Sequence, residues 1–452
     1  MQIPDNADAI IWNGRSFSWS LLTSYVHSTS RRLKEIGVKP GSRVLVEGIP
    51  AAGTMIIFLS LWHIGAIACP FDPRLTGPMA ADIRRKIEPF LLLSATAPDP
   101  RFKGLRLFEI NDVICVEPVE QFMAGILETQ RLSVDQGNAT IIFTSGSTGE
   151  PKAVLHSLKA HQFNAIGAAT IIPFTAGDTW LMALPLYRIS GIAVIFRALL
   201  GGGTMVFPQR SQMNADELSA AIVKYRPSHI SLVPTQFLRL TQILNRVDWQ
   251  CFKAILIGGA PIPERLISIA AELDLPVYLT YGMTETGSQI ATSYYRDARE
   301  HGARVLPGRE VCLIDHEICI RGEVLFSGYI DGQTINRSVD PEGWFHTGDI
   351  GVFNDGYLMI TGRRDRMFIS GGENIHPEMI EKVLLSLDGV VSARIEPKND
   401  PDFGQVPIAY LNLKDGVNFS DKEIKLVLKG ILLPYQVPKE IHINAGYYFP
   451  EK

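Results

Sequence analysis

Thr144-Ser145-Gly146-Ser147-Thr148-Gly149-Glu150-Pro151-Lys152 is the stretch on which the reading of this chain turns. It follows Ile141-Ile142-Phe143, an apolar run that reads as a buried strand. Four hydroxyls, two glycines and a lysine then fall within a few residues. Glycine lets backbone N–H groups approach ligand oxygens closely, hydroxyls add donors, and lysine adds a positive charge. Such a loop suits a polyphosphate. The spacing is not that of a P-loop, because Lys152 stands three residues after Gly149 rather than next to it. A solvated Ser/Gly loop is the commoner meaning of this composition, but the ordered mixture of residue types argues against it here.

Working outward, strand and helix patterns alternate. Leu22, Tyr25, Val26, Leu33 and Ile36 share a helical face, and Gly37 followed by Pro40-Gly41 supplies the stop. Arg43–Glu47 and Trp180–Leu184 read as strands, with a helix expected over Ser157–Ile172. Ala254–Ile257 and Val277–Leu279 are short apolar runs ended by turns. This alternation predicts an α/β fold, a large domain of mostly parallel sheets covered by helices. From about Gly308 the texture changes. Glu317–Arg321 and Glu323–Phe326 suggest short antiparallel strands, and Asn354-Asp355-Gly356-Tyr357 suggests a hairpin turn. The expected organisation is a large domain over 1–362, a hinge at 363–365 and a small α+β C-terminal domain over 366–452. In the small domain, Ile380, Val383, Leu384 and Leu387 make a helix face behind Pro377. Ser420 and Glu423 form a capping box ahead of Ile424, Val427, Leu428 and Ile431.

Composition sets bounds. At 452 residues the chain can bury several cores, and 46% hydrophobic with 20% charged residues is ordinary for a soluble globular protein. A net charge of −4 gives no attraction to nucleic acid or to a membrane surface. The N-terminus, Met1-Gln2-Ile3-Pro4-Asp5, shows no signal-peptide pattern. The most apolar run, Met55 to Ala68, is too short to span a bilayer and reads as a buried helix. Cys69, Cys115, Cys251, Cys312 and Cys319 are odd in number and scattered, as in a reduced cytoplasmic protein without a zinc site.

Further loops stand where a parallel sheet binds ligands, at the C-terminal ends of strands. Leu256-Ile257-Gly258-Gly259-Ala260-Pro261 would let a flat ligand lie against backbone, although a tight turn is its commoner meaning. Tyr281-Gly282-Met283-Thr284-Glu285-Thr286-Gly287 gathers an aromatic ring, a hydroxyl and a carboxylate. Trp344-Phe345-His346-Thr347-Gly348-Asp349 ends in an acid able to accept from two hydroxyls at once, though Asp in a loop is more often a turn or cap residue. Gly362-Arg363-Arg364-Asp365-Arg366 and Ser370-Gly371-Gly372-Glu373 combine charge with glycine.

Together and in this order, these strings resemble the adenylate-forming superfamily of acyl-CoA synthetases, luciferases and peptide-synthetase adenylation domains, over nearly all of the chain. The resemblance implies that Thr144, Ser145, Gly146, Ser147, Thr148, Gly149 and Lys152 wrap the phosphates of ATP. Gly259, Ala260 and Pro261 would line the adenine pocket, and Tyr281 beside Gly282 would stack on the base. Thr284 would contact phosphate, Glu285 would bind Mg²⁺, Asp349 would hold the ribose hydroxyls and Arg363 would reach the nucleotide. Asp365 would mark the hinge, and Gly371 and Gly372 would line the channel for the pantetheine thiol of coenzyme A. Within the superfamily, Ala183-Leu184-Pro185-Leu186-Tyr187-Arg188-Ile189-Ser190-Gly191, Leu232-Val233-Pro234-Thr235-Gln236 and Leu306-Pro307-Gly308-Arg309-Glu310-Val311 resemble o-succinylbenzoate–CoA ligases of menaquinone biosynthesis.

The implied activity joins a small carboxylic acid to CoA through acyl-AMP, with no nucleic-acid partner or membrane insertion. A homodimer is left open. Two departures stand out. Tyr187-Arg188 replaces the family's aromatic-His pair, and Arg188 could pair with a substrate carboxylate or point outward. The family's C-terminal Gly-Lys segment is not seen before Tyr448-Phe449-Pro450-Glu451-Lys452, which gives the expectation of a truncated small domain with slow adenylation. Other aryl- or acyl-CoA ligases, a protein loading a carrier-protein thiol, and a nucleotide-binding homologue without full catalysis stay open as alternatives.

Overall fold

The computed structural model describes residues 6–47, 52–94, 100–114, 137–145, 151–208, 213–370, 373–400, 403–414, 416–432 and 434–444. Two eight-stranded sheets dominate. In the first, Asp8–Trp12, Thr204–Phe207, Thr179–Leu181, His229–Leu232, Ala254–Ile257 and Val277–Met283 lie parallel, with antiparallel Arg15–Ser18 and Ser288–Tyr294 at the two edges. In the second, Asn138–Ser145, Ile67–Phe71, Arg43–Glu47, Leu91–Ser94 and Leu107–Glu109 are parallel. Pro151–Ser157, Gly328–Asp331 and Thr334–Asn336 extend it by antiparallel pairing.

One apolar core joins the two sheets. It takes Val44, Val46 and Leu93 from one sheet, Met205, Phe207 and Leu256 from the other, and the apolar faces of the helices Trp19–Glu35, Ala52–Ile64 and Ile189–Gly201 between them. Helix 52–64 is buried nearly all round, so its sequence shows no polar stripe. The expected single helix over Met55–Ala68 is instead a helix that stops at Ile64, a turn at Gly65 (φ +82°) and the strand Ile67–Phe71. Glycine is required at that turn because its φ lies in the left-handed region.

The antiparallel region is a five-stranded sheet of Ala303–Arg304, Tyr357–Arg363, Phe345–Asn354, Glu317–Arg321 and Glu310–Ile314. Asp355 (φ +48°) and Gly356 (φ +82°) make the expected hairpin turn. Glu323–Phe326 forms no strand. Gly322 bends the chain, and the Phe326 N–H is given to the Glu285 carbonyl, 2.8 Å away, rather than to a neighbouring strand. Trp180–Leu184 is likewise strand only to Leu181.

Beyond the short turn Arg364–Arg366 the chain builds a fourth sheet from Phe368–Ser370, Glu373–Ile375, Val390–Asp400, Gly404–Leu413 and Glu440–Ile443. Its core draws only on residues from Phe368 onward, including Ile375, Ile380, Leu384, Ile424 and Leu428. Pro377 opens the helix Pro377–Ser386, and Ser420 with Glu423 caps Asp421–Lys429 as expected. Val427 and Ile431 do not share the buried face; both are exposed, because only Ile424 and Leu428 of that helix reach the sheet. Gly146–Gly149, Gly371, Gly372, Cys115 and the C-terminal residues 445–452 lie outside the described residues. No helix among the described residues is long and apolar enough to cross a membrane.

Candidate active site

Two of the loops singled out by composition leave the C-terminal ends of neighbouring strands in the first sheet. Strands 254–257 and 277–283 are parallel neighbours, with Ile257 opposite Leu279. Gly258–Pro261 and Tyr281–Gly287 therefore emerge side by side. Gly259 takes φ +80°, and Ala260 and Pro261 are exposed, forming an open ledge. Gly282 is pressed against the strand 288–294; a Cβ there would collide with the Ser288 carbonyl oxygen.

The Tyr281 hydroxyl donates to Asp349 Oδ2 at 2.5 Å. Burial, and then the Asp349 charge, push its phenol well above the usual value, so it remains a donor. Asp349 is itself buried and takes a second bond, from Arg363 Nη1 at 2.9 Å. Asp349 and Arg363 stand opposite each other across the 345–354/357–363 hairpin, which is why one sequence segment presents the acid and the next its cation. Arg363 also bonds Asp365 at 3.1 Å.

Behind this group lies Glu317, a buried carboxylate that sequence reasoning did not single out. It accepts from the Gly348 N–H at 2.7 Å, from Arg364 Nη1 at 2.6 Å and from His346 Nδ1 at 3.2 Å. Burial opposes its charge, but these donors win and hold its carboxyl below the usual range. Glu317 thus ties the backbone just before Asp349 to Arg364 of the Gly-Arg-Arg-Asp-Arg segment.

Glu285 sits in the single turn Thr284–Thr286, buried, with Oε1 accepting from the Tyr329 hydroxyl at 2.8 Å. Among the described residues none donates a hydrogen bond to Oε2. Asn164 Nδ2 fixes this turn by donating to the Thr286 and Gln289 carbonyls. Lys152 pairs in register with Thr144 at the two ends of the loop, and its Nζ lies 5.0 Å from the centre of the Tyr329 ring. His156 and His161 behind the loop are buried, which pushes His156 down to about 3 and His161 well below its ordinary value. Neither is placed to carry charge or to take up a proton near neutral pH.

Arg188 is exposed, its guanidinium 5.9 Å from the Tyr187 ring. Nearby, Arg74 is bonded to Asp72 and reaches the Tyr187 hydroxyl at 3.3 Å. The buried cation of this segment is instead Arg197, nine residues on in the helix Ile189–Gly201. It bonds the Gln289 side chain, and its guanidinium carbon lies 5.1 Å from the Trp180 ring centre. Arg309, also buried, gives its N–H groups to the carbonyls of Gln289, Pro307 and Asn164. It threads past Gly167, where a Cβ would strike its guanidinium. Burial lowers Arg197 to about 10. Burial and the Arg197 charge lower Arg309 to about 9. Among the described residues neither forms an ion pair with a carboxylate. Two buried positive charges are therefore left beside Gln289, whose neighbour across the strands is Gly282. An arginine inside the apolar run Ile189–Leu200 was the sequence signal for this.

The donor set suits Mg²⁺ carried by ATP. That ion takes oxygen ligands, keeps several waters and is commonly held by one or two carboxylates plus substrate phosphates. One carboxylate with an open oxygen fits that pattern. No group of three or more His, Cys, Asp or Glu residues among those described could hold a metal on its own.

Comparison with known proteins gives the family. Residues 2–330 match the model of the AMP-binding enzyme family. The chain is 32% identical over 417 residues to a 2-succinylbenzoate–CoA ligase of Haemophilus influenzae, covering 91% of this chain and 85% of that protein. It is 36% identical over 451 residues to one of Bacillus licheniformis, covering 96% and 92%. The fold superposes on o-succinylbenzoate CoA synthetase of Bacillus subtilis in complex with its acyl-adenylate intermediate. The TM-score is 0.85 at 26% identity, over 98% of this chain and 92% of that one. The same Bacillus subtilis enzyme with ATP and a magnesium ion gives TM-score 0.85 at 25% identity, over 98% and 94%.

Proposed function

The chain belongs to the AMP-binding enzyme family as an AMP-forming acid–CoA ligase, and from that premise we propose that its acid is o-succinylbenzoate, activated for menaquinone biosynthesis. The observation that carries the choice of acid is the buried pair Arg197 and Arg309, which among the described residues meets only neutral acceptors and no carboxylate. Burying a charge without a partner is costly, and a second carboxylate on the substrate would offset that cost. A monocarboxylate, whose single carboxylate is spent at the phosphorus, would leave the pair unmatched.

In the first half-reaction a carboxylate oxygen attacks the α-phosphorus of ATP, and the bond to pyrophosphate breaks. In the second, the CoA sulfur attacks the acyl carbon, AMP leaves, and the thiol proton passes to solvent. Neither half needs a protein nucleophile. The residues act by holding and orienting reactants and by placing charge against phosphate oxygens. The loop 144–152 with Lys152 takes the phosphates, and Thr284 contacts them. Gly259, Ala260, Pro261, Tyr281 and Gly282 make the adenine shelf, and Asp349 accepts from the ribose hydroxyls with Arg363 beside it. Glu285 is the protein ligand for Mg²⁺, which when bound supplies charge neutralisation at the phosphates. By the family resemblance Gly371 and Gly372 are the residues assigned to the thiol, and Asp365 to the hinge. Arg188, the exposed N-cap residue of the helix that carries Arg197, is outside that buried pair.

Pyrophosphate release across a panel of carboxylic acids, with and without CoA, tests this reading. Release with aromatic dicarboxylates, and acyl-CoA only when CoA is present, is the expected result. Equal turnover of benzoate and o-succinylbenzoate would reject the choice of acid.

A further inference from the structure

We propose that Tyr329 is a positioning residue that couples Lys152 of the phosphate loop to the carboxylate of Glu285. The proposal rests on the reading of Glu285 as the Mg²⁺ ligand and adds a residue and a division of labour to it. Tyr329 lies on the strand Gly328–Asp331, which pairs antiparallel with Pro151–Ser157 and places Tyr329 opposite Val154. Lys152 is two residues from Val154 and so on the same face of the sheet. The result is a ring beneath a cation: Lys152 Nζ sits 5.0 Å from the Tyr329 centroid, within range of a cation–π contact.

The other end of the same side chain does a different job. Its hydroxyl donates to Glu285 Oε1 at 2.8 Å. Burial, and then the Glu285 charge, push the phenol far above its ordinary value, so the hydroxyl keeps its proton. The same segment also holds the Glu285 backbone, because the Phe326 N–H donates to the Glu285 carbonyl at 2.8 Å. Phe326 in turn packs edge-on against Tyr329, with ring centroids 4.8 Å apart, and against Phe345 at 5.3 Å. Glu285 is therefore gripped at its carbonyl and at one carboxylate oxygen. That fixes the side-chain rotamer and leaves Oε2 as the oxygen for the cation. A carboxylate already oriented loses less freedom when it binds a metal, and the bond to Oε1 keeps it from turning to present both oxygens.

The two contacts can be separated by substitution. Tyr329→Phe keeps the ring under Lys152 and removes only the donor to Glu285, whereas Tyr329→Leu removes both. The measurement is calorimetric binding of ATP, first in EDTA and then across a Mg²⁺ titration, with Glu285→Gln as control and thermal unfolding recorded for each variant. Tyr329→Phe is expected to raise the half-saturating Mg²⁺ concentration about tenfold, the scale of one charge-assisted hydrogen bond, and to leave ATP binding in EDTA unchanged. Tyr329→Leu is expected to weaken binding in EDTA as well. If Tyr329→Phe leaves the Mg²⁺ titration unmoved while Glu285→Gln abolishes it, the positioning role is wrong and Glu285 keeps its assignment. If Glu285→Gln leaves the titration unmoved, the metal assignment fails and the proposal falls with it. Equal losses with and without Mg²⁺ in Tyr329→Phe, together with a lowered melting temperature, would show a merely structural tyrosine.

Discussion

Glu317 offers the sharpest test of how the site is held, because its partners differ in exposure and so in what their loss should cost. Replacing it by leucine leaves the Gly348 N–H, 2.7 Å from Oε1 in the native protein, without that acceptor in a part-buried position. An unsatisfied buried N–H costs about 1–3 kcal/mol. Arg364 and His346 are 53% and 39% exposed, so water replaces most of what they lose, about 0.5 kcal/mol each. Glu317→Leu should therefore destabilise the protein by about 3 kcal/mol. Glu317→Gln keeps an acceptor for Gly348 and gives up the exposed bonds from Arg364 and His346, and should cost about 1 kcal/mol. Matched urea titrations give the two differences. The same variants should separate in ATP affinity, because Gly348 (φ +73°) sets the backbone from which Asp349 projects. The leucine variant should bind ATP several-fold more weakly than the glutamine variant. Equal costs for the two substitutions, or a leucine variant as stable as the native protein, would refute the argument that the Gly348 bond dominates.

His346 should make stability depend on pH with a defined sign. Glu317 and Asp340 raise its imidazole above the ordinary value, against the smaller effect of burial, with Cys319 Sγ at 3.5 Å as its remaining polar neighbour. A raised value in the folded state stabilises fully below the unfolded value and is lost as pH rises through the folded one. The melting-temperature gap between the native protein and His346→Gln should thus be wide near pH 6 and narrow near pH 9, and a gap constant across that range would be inconsistent with it. Arg197→Leu should raise the KM for o-succinylbenzoate by at least tenfold, since truncating one member of a buried charged pair costs about 2–5 kcal/mol. The same change should leave the unliganded protein as stable or more so, because a buried charge without an acidic partner is removed; equal KM effects on benzoate would count against the assignment. Glu285→Gln should slow Mg²⁺-dependent pyrophosphate release strongly, and unchanged release would exclude it as the metal ligand.

Much of the candidate site was legible in the sequence, and the reason is local. Tyr281, Thr284 and Glu285 lie within five residues at the end of one strand, and Asp349 and Arg363 lie on the two arms of one hairpin. Where the chemistry needs a turn plus a side chain, neighbouring residues carry both. Apolar runs were read less well. Met55–Ala68 hid a helix, a turn and a strand, because a helix buried all round and a buried parallel strand share the same composition. Glu323–Phe326 alternates like a strand but spends its N–H on Glu285, a partner that propensity cannot see.

What the sequence determined by itself was therefore the class of chemistry: an ordered set of loops for ATP on an α/β frame. Tertiary structure decided the rest, since it depends on groups far apart in the chain. Arg197 and Arg309 meet at Gln289 only because a helix, a strand and a loop converge there. One oxygen of Glu285 is occupied only because Tyr329, forty-four residues away, donates to it. A local pattern can say which side chains could bind a phosphate or a cation. Which charges are buried, and which of them are left without a partner, is set by desolvation and by long-range packing, and neither is written in any one segment.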